Sequence, residues 1–210
     1  MKKFLEEICR DADTYREIVE TSYYQWENQE FSIKQSLDAL NVFHVKQDLP
    51  MILSLMRDYR AGLLKKKYLE KALSAIENFH FMFTAITSQR SSGGISLMYA
   101  MHSRQLSTGS TLESKLNTID ELIKKLREKI PSFKEFEANF MEKLYSRKYP
   151  KDKRLVQYIL GKIYRYHDKS GVPIDYSQMT IEHLAPENAE ITSGKLFFKN
   201  AFNFRNSYPF

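Results

Sequence analysis

The chain has 210 residues, with 32 Lys and Arg against 26 Asp and Glu, and a formal net charge of +6 with a pI near 9.2. Its 42% hydrophobic and 28% charged residues are normal for a soluble globular protein, and its length allows one large domain or two small ones. The single cysteine, Cys9, excludes an internal disulfide and a Cys-based zinc cluster, and no apolar run approaches membrane-spanning length.

The lone cysteine fits a reducing cytoplasm. The start Met1-Lys2-Lys3-Phe4-Leu5 resembles the first residues of a signal peptide, but Glu6, Glu7 and Arg10 destroy any apolar segment after it. The protein is therefore expected in the cytoplasm and off the membrane. The basic balance suits an anionic partner such as nucleic acid. Gly and Pro are scarce, at 7 and 6, which favours helices over a turn-rich sheet fold. The 13 Tyr and 14 Phe predict an aromatic core.

Apolar residues at Phe4, Ile8, Ala12, Tyr15, Ile18 and Val19 predict a first helix from Lys3 to about Tyr24, with Glu6, Glu7, Asp11 and Asp13 facing away or capping. Trp26 falls in a polar connection. Ser32 can cap a second helix with Gln35 in the capping-box position, and Ile33, Leu37, Leu40 and Val42 form its apolar side. Asp48 is a candidate cap for a third helix, with Pro50 in its first turn and Gly62 at its end.

The strongest helix opens at Lys65-Lys66-Lys67. Its stripe is Leu69, Ala72, Leu73, Ile76, Phe79, His80, Phe83 and Ile86, which makes His80 a hydrogen-bonded core residue rather than a ligand. The loop Thr87 to Gly94 lacks the Gly-Lys-Ser/Thr of a P-loop and reads as a helix break. Ile95 to Leu106 is the next helix. Thr108 to Thr111 then breaks the chain with good N-caps. A long helix with Leu112, Leu116, Ile119, Leu122, Ile123, Leu126 and Ile130 follows, and its mixed outer face includes Lys115.

Pro131 ends that helix. Ser132 can cap another, with a stripe of Phe133, Phe136, Phe140 and Leu144. The connection Ser146 to Arg154 holds five basic residues, Arg147, Lys148, Lys151, Lys153 and Arg154, with Tyr149 interleaved. It can grip phosphates, or be a solvated loop. Leu155, Tyr158, Ile159, Ile163 and Tyr166 mark the last clear helix, on which Lys162 and Arg165 extend the positive surface.

The stretch Thr180-Ile181-Glu182-His183-Leu184-Ala185-Pro186-Glu187-Asn188 carries the residues suited to chemistry. Thr180 and Ile181 favour extended backbone, and Pro186 disfavours helix at Ala185. A neutral imidazole at His183 can take a proton from water, and the Glu182 carboxylate is a hard oxygen ligand for Mg²⁺ or Mn²⁺. The pattern resembles the first strand of HNH (ββα-metal) nucleases. With the helices before it, the stretch resembles more specifically the GmrSD-type restriction endonuclease family, whose usual motif is Glu-His-Ile-x-Pro-Gln. Leu184 and Glu187 stand here for Ile and Gln. The helix Leu69 to Phe79, with its Arg-bearing break and following helix, is similar to the helical region of the same family.

That resemblance implies a mainly α chain: a multi-helix, bundle-like domain over 1–173, then the short start of an HNH-like ββα-metal segment over 174–210. It implies His183 as general base, Glu182 as metal ligand, Mg²⁺ or Mn²⁺ as cofactor, and DNA as substrate held by Arg147, Lys148, Lys151, Lys153 and Arg154. The family's usual later Gly-Asn-Leu motif has no counterpart, and Asn200, Asn203 and Asn206 match by residue type only. Phe197, Phe198, Phe202, Phe204, Tyr208 and Phe210 crowd the tail. The chain is thus expected to be a split or truncated member, with another subunit or further N- and C-terminal parts as partners. Two other readings stay open: a non-catalytic helical module binding nucleic acid or a subunit, and a structural scaffold.

Overall fold

A computed structural model of the protein describes residues 2–89, 93–143, 145, 150–168 and 180–181. The chain is mainly α, and every element among the described residues is a helix. It divides into two compact units, Met1–Ser132 and Phe133–Phe210. The 173/174 boundary read from sequence falls outside the described residues, as does the ββα segment apart from Thr180 and Ile181.

The first unit holds α1 (Lys2–Val19), α2 (Phe31–Val42), α3 (Leu49–Arg60), α4 (Lys66–His80), α5 (Gly93–Thr108) and α6 (Leu112–Glu128). α3 packs on α5, α1 and α4, while α4 packs on α2 and α6, and α5 on α6. The α4 stripe behaves as its spacing predicts: Leu69, Ala72, Leu73, Ile76, Phe79 and His80 are buried. That stripe continues through a π-helical extension, Phe81–Ile86, in which Phe83 and Ile86 stay buried. Phe79 and Phe83 stack with ring centroids 4.9 Å apart.

Helix ends follow local chemistry. Gly62, at φ +72°, closes α3: its N–H donates to the Tyr59 carbonyl, and Leu63 N–H reaches back to Asp58. α2 ends in the same way through His44, at φ 57°, with Val45 N–H donating to the Leu40 carbonyl. Thr111 caps α6 by accepting from Ser114 N–H at 3.1 Å.

Four sequence readings are corrected here. α1 stops at Val19, and Phe4, Ile8 and Tyr15 of its supposed buried stripe are exposed; Thr14 and Ile18 are the buried positions. Asp11 does not face away but pairs with Arg57 of α3 at 2.6 Å. Ser32 does not cap α2: its hydroxyl donates to Glu70 of α4, and the capping position is Glu30. Lys115 leaves the outer face of α6 and is buried against Asp58 of α3, at 2.7 Å.

The connection from α1 to α2 is an aromatic clamp rather than a polar loop. Arg60 lies over Tyr24 at 4.5 Å and pairs with Glu17 and Glu30. Trp26 Nε1 donates to the Thr21 carbonyl at 2.7 Å and meets Tyr24 edge to face.

The second unit holds α7 (Phe133–Met141), a 3-10 turn (Pro150–Asp152) and α8 (Lys153–His167). Phe136 and Phe140 stack at 5.4 Å and Phe140 is buried, whereas Phe133 is exposed. Leu155, Val156 and Ile159 form the buried side of α8, and its supposed stripe members Ile163 and Tyr166 are exposed.

Candidate functional site

The described part of the predicted site lies at the start of α8. Lys151 is in the 3-10 turn, and Lys153 and Arg154 are the first two residues of the helix. They therefore sit on helical backbone rather than in the loop read from sequence. All three side chains are exposed. α8 contains no acidic residue, and Lys162 and Arg165 add exposed positive charge further along it. Arg147 and Lys148 lie outside the described residues, as do Glu182 and His183. Of the motif stretch the structure describes only Thr180 and Ile181, which lie outside any helix or strand.

The first unit carries a different kind of polar constellation, enclosed in its core. His80 of α4 is fully buried; its Nε2 lies 2.9 Å from the Tyr99 hydroxyl of α5, and its Nδ1 lies 2.8 Å from Thr84 Oγ1. A neutral imidazole donates through one nitrogen and accepts through the other, so Tyr99 and Thr84 take opposite roles. Burial lowers the His80 pKa from 6.5 to about 4, which keeps the ring neutral.

Asp48, immediately before α3, is 1% exposed, and neither carboxylate oxygen has a hydrogen-bond partner. Burial raises its pKa from 3.8 to about 7, against the opposing effect of its own backbone N–H. Tyr99 is raised well above the ordinary tyrosine value, first by burial and then by the Asp48 charge. Asp48 thus does not cap α3 as its position suggests; its side chain is turned into the core.

Two further polar groups are buried between helices. Lys115 Nζ donates to Asp58 at 2.7 Å and to the Leu106 carbonyl at 2.8 Å, joining α6, α3 and α5. His102 Nδ1 donates to the Met98 carbonyl at 2.7 Å, leaving Nε2 buried without a partner. A surface groove between α5 and α6, lined by Gln105, Thr108, Thr111, Ser114, Asn117 and Glu121, lies nearby in the fold but includes none of these buried groups.

These groups hold helices together; they do not form an open catalytic centre. Among the described residues no three His, Cys, Asp or Glu side chains are placed to hold a metal ion. Glu182, the metal ligand implied by the resemblance, has the hard oxygen donor that Mg²⁺ or Mn²⁺ takes, and it lies outside the described residues. No helix among the described residues is long and apolar enough to cross a membrane. Sequence reasoning missed the buried roles of Asp48, Asp58, Tyr99 and Lys115. The signal available for Lys115 was its placement three residues after Leu112 and four before Ile119, on the apolar side of the α6 period.

No family model, curated protein or solved structure matches this chain.

Proposed function

We propose that this chain is part of a GmrSD-like restriction endonuclease that cleaves DNA phosphodiester bonds with a divalent metal in the cytoplasm, as a phage defence. The observation that carries the reading is the run Ile181-Glu182-His183-Leu184-Ala185-Pro186, preceded by a long helical chain. His183 is the general base that takes a proton from the attacking water. Glu182 is the metal ligand. Mg²⁺ or Mn²⁺, when bound, neutralises charge developing on the phosphate and the leaving oxygen. Arg147, Lys148, Lys151, Lys153 and Arg154 hold the DNA backbone. In this reading HNH-like ββα backbone surrounds the motif, and another subunit or further parts of the same protein complete the enzyme.

The test is nicking of supercoiled plasmid with Mg²⁺ or Mn²⁺ by the protein and its His183→Ala variant. Cleavage that vanishes in the variant supports the reading. Cleavage that persists in it refutes His183 as the base.

A second reading, a non-catalytic helical module that binds nucleic acid, is favoured by the exposed Lys153 and Arg154 at the start of α8, which contains no acidic residue, and by the exposed Lys151 in the turn before it, beside Asp152. It predicts salt-dependent DNA binding by a folded protein that cleaves no plasmid under either metal.

A further inference from the structure

α1 turns its apolar side away from the rest of its unit. Leu5, Ile8, Ala12 and Tyr15 follow one another at three, four and three residues, so they share one face of the helix, with Phe4 at its edge. Phe4 is 63% exposed, Leu5 55%, and Ile8 and Tyr15 46% each. Every side chain from Phe4 to Arg10 is exposed. The helix is held from its other side: Thr14 and Ile18 are buried, and Asp11 and Glu17 pair with Arg57 and Arg60 of α3. The first turns of α1 thus project with an apolar stripe in the open. A short helix is marginal in water unless its apolar side is packed, and a contiguous apolar stripe on a surface marks a contact.

Charge and spacing together select the occupant. α1 has four Lys and Arg against five Asp and Glu, whereas a helix that lies on anionic lipid is rich in cations on its polar side. The three-four-three spacing is that of a helix–helix seam. It is also complementary to itself when two copies run antiparallel. Aligned at the level of Arg10, Ile8 of one copy meets the small Ala12 of the other, and Leu5 meets Tyr15. Each of these pairs is equidistant from the two-fold axis, as a self-complementary interface requires. The charged side chains nearest the seam, Asp11 and Arg16, already pair with Arg57 at 2.6 Å and Glu20 at 3.0 Å, so closing the seam strands no charge. At about 200 Å² for a large side chain, the exposed fractions of Phe4, Leu5, Ile8 and Tyr15 offer about 400 Å² per copy. The pair buries about 800 Å² before Ala12 and the flanking residues are counted, which is the scale of a reversible contact rather than a permanent one.

We infer that the α1 face bearing Leu5, Ile8, Ala12 and Tyr15 docks on the same face of a second copy of this chain, antiparallel, to form a reversible two-fold dimer. The contact is independent of the nuclease reading above and of the motif at Glu182 and His183.

The experiment is sedimentation equilibrium of the whole protein from about 1 to about 300 μM, because so small an interface binds in the micromolar range or more weakly. The weight-average mass climbs from 24.8 kDa toward twice that value. Ile8→Glu and, separately, Leu5→Glu each change one exposed side chain and set a carboxylate in the seam; each weakens association about tenfold or more. Leu63→Glu makes the same change at a leucine that is 56% exposed after α3, and leaves association as it was. Circular dichroism confirms that each variant is folded. Cys9, the sole cysteine, is exposed beside the seam and one residue from its centre, so a short bis-maleimide links two wild-type copies and fails to link two Ile8→Glu copies.

A mass that stays at 24.8 kDa across the range overturns the inference. So does association that Ile8→Glu and Leu5→Glu weaken no more than Leu63→Glu does, which places the contact elsewhere. An associating wild type that gives no Cys9 link overturns the antiparallel pairing. Monomeric protein that binds vesicles of anionic lipid through Leu5 and Ile8 overturns the dimer in favour of a lipid surface.

Discussion

Replacing Asp48 by Asn tests the account of the core. The carboxyl is 1% exposed and unpartnered, and burial moves its pKa from 3.8 to about 7. Between those values the folded protein keeps a proton that the unfolded chain has released. The contribution of the neutral acid is therefore fully present below pH 3.8 and is lost as pH rises through about 7. At about 1.4 kcal/mol for each tenfold change in proton affinity, the full loss is about 4 kcal/mol.

His80 works in the opposite direction. Burial lowers its pKa from 6.5 to about 4, so its contribution is present above 6.5 and is lost as pH falls through about 4, by roughly 3 kcal/mol. Over that window the two slopes oppose one another, and the wild-type core shows little net pH dependence from the pair. Asp48→Asn removes one slope and exposes the other. The variant then gains roughly 3 kcal/mol of stability between about pH 4 and about pH 6.5. Its stability relative to wild type rises by about 4 kcal/mol from about pH 4 to about pH 8. Urea unfolding followed by Trp26 fluorescence and far-ultraviolet dichroism at stepped pH measures both. A difference between variant and wild type that stays constant with pH refutes the reasoning, because it means the Asp48 charge is solvated or matched in the folded protein.

Lys115→Met leaves Asp58 as a buried unpaired charge and the Leu106 carbonyl without its donor, and costs about 3 to 5 kcal/mol by urea unfolding; adding Asp58→Leu recovers most of that loss. Thr111→Ala removes the acceptor for Ser114 N–H and lowers stability by about 1 kcal/mol, whereas Thr111→Ser changes it little in the same assay. His44→Gly relieves a left-handed residue at the end of α2 and raises the unfolding midpoint, with a gain of about 0.5 to 1 kcal/mol after the added chain entropy of glycine.

The helices were legible because local periodicity and caps specify them. The stripe from Leu69 to Ile86, the break before α5, Thr111 as a cap and Gly62 as a stop follow from residue spacing and backbone chemistry alone. The motif at Glu182 and His183 and the basic residues from Arg147 to Arg154 were equally visible, since both are contiguous in the chain.

What the sequence determined by itself is therefore the helical class, the positions of most helices and the residue types available for chemistry. The tertiary structure decided which faces those helices bury. Amphipathic spacing names an apolar side but not the neighbour that covers it, so Phe4, Ile8 and Tyr15 of α1 stay exposed while Thr14 and Ile18 are covered. For the same reason Asp48, expected as a cap, and Lys115, expected on the mixed outer face of α6, became core groups, with Asp58 buried beside Lys115. Their burial depends on helices up to 57 residues away in the chain, and no local pattern records a partner at that distance.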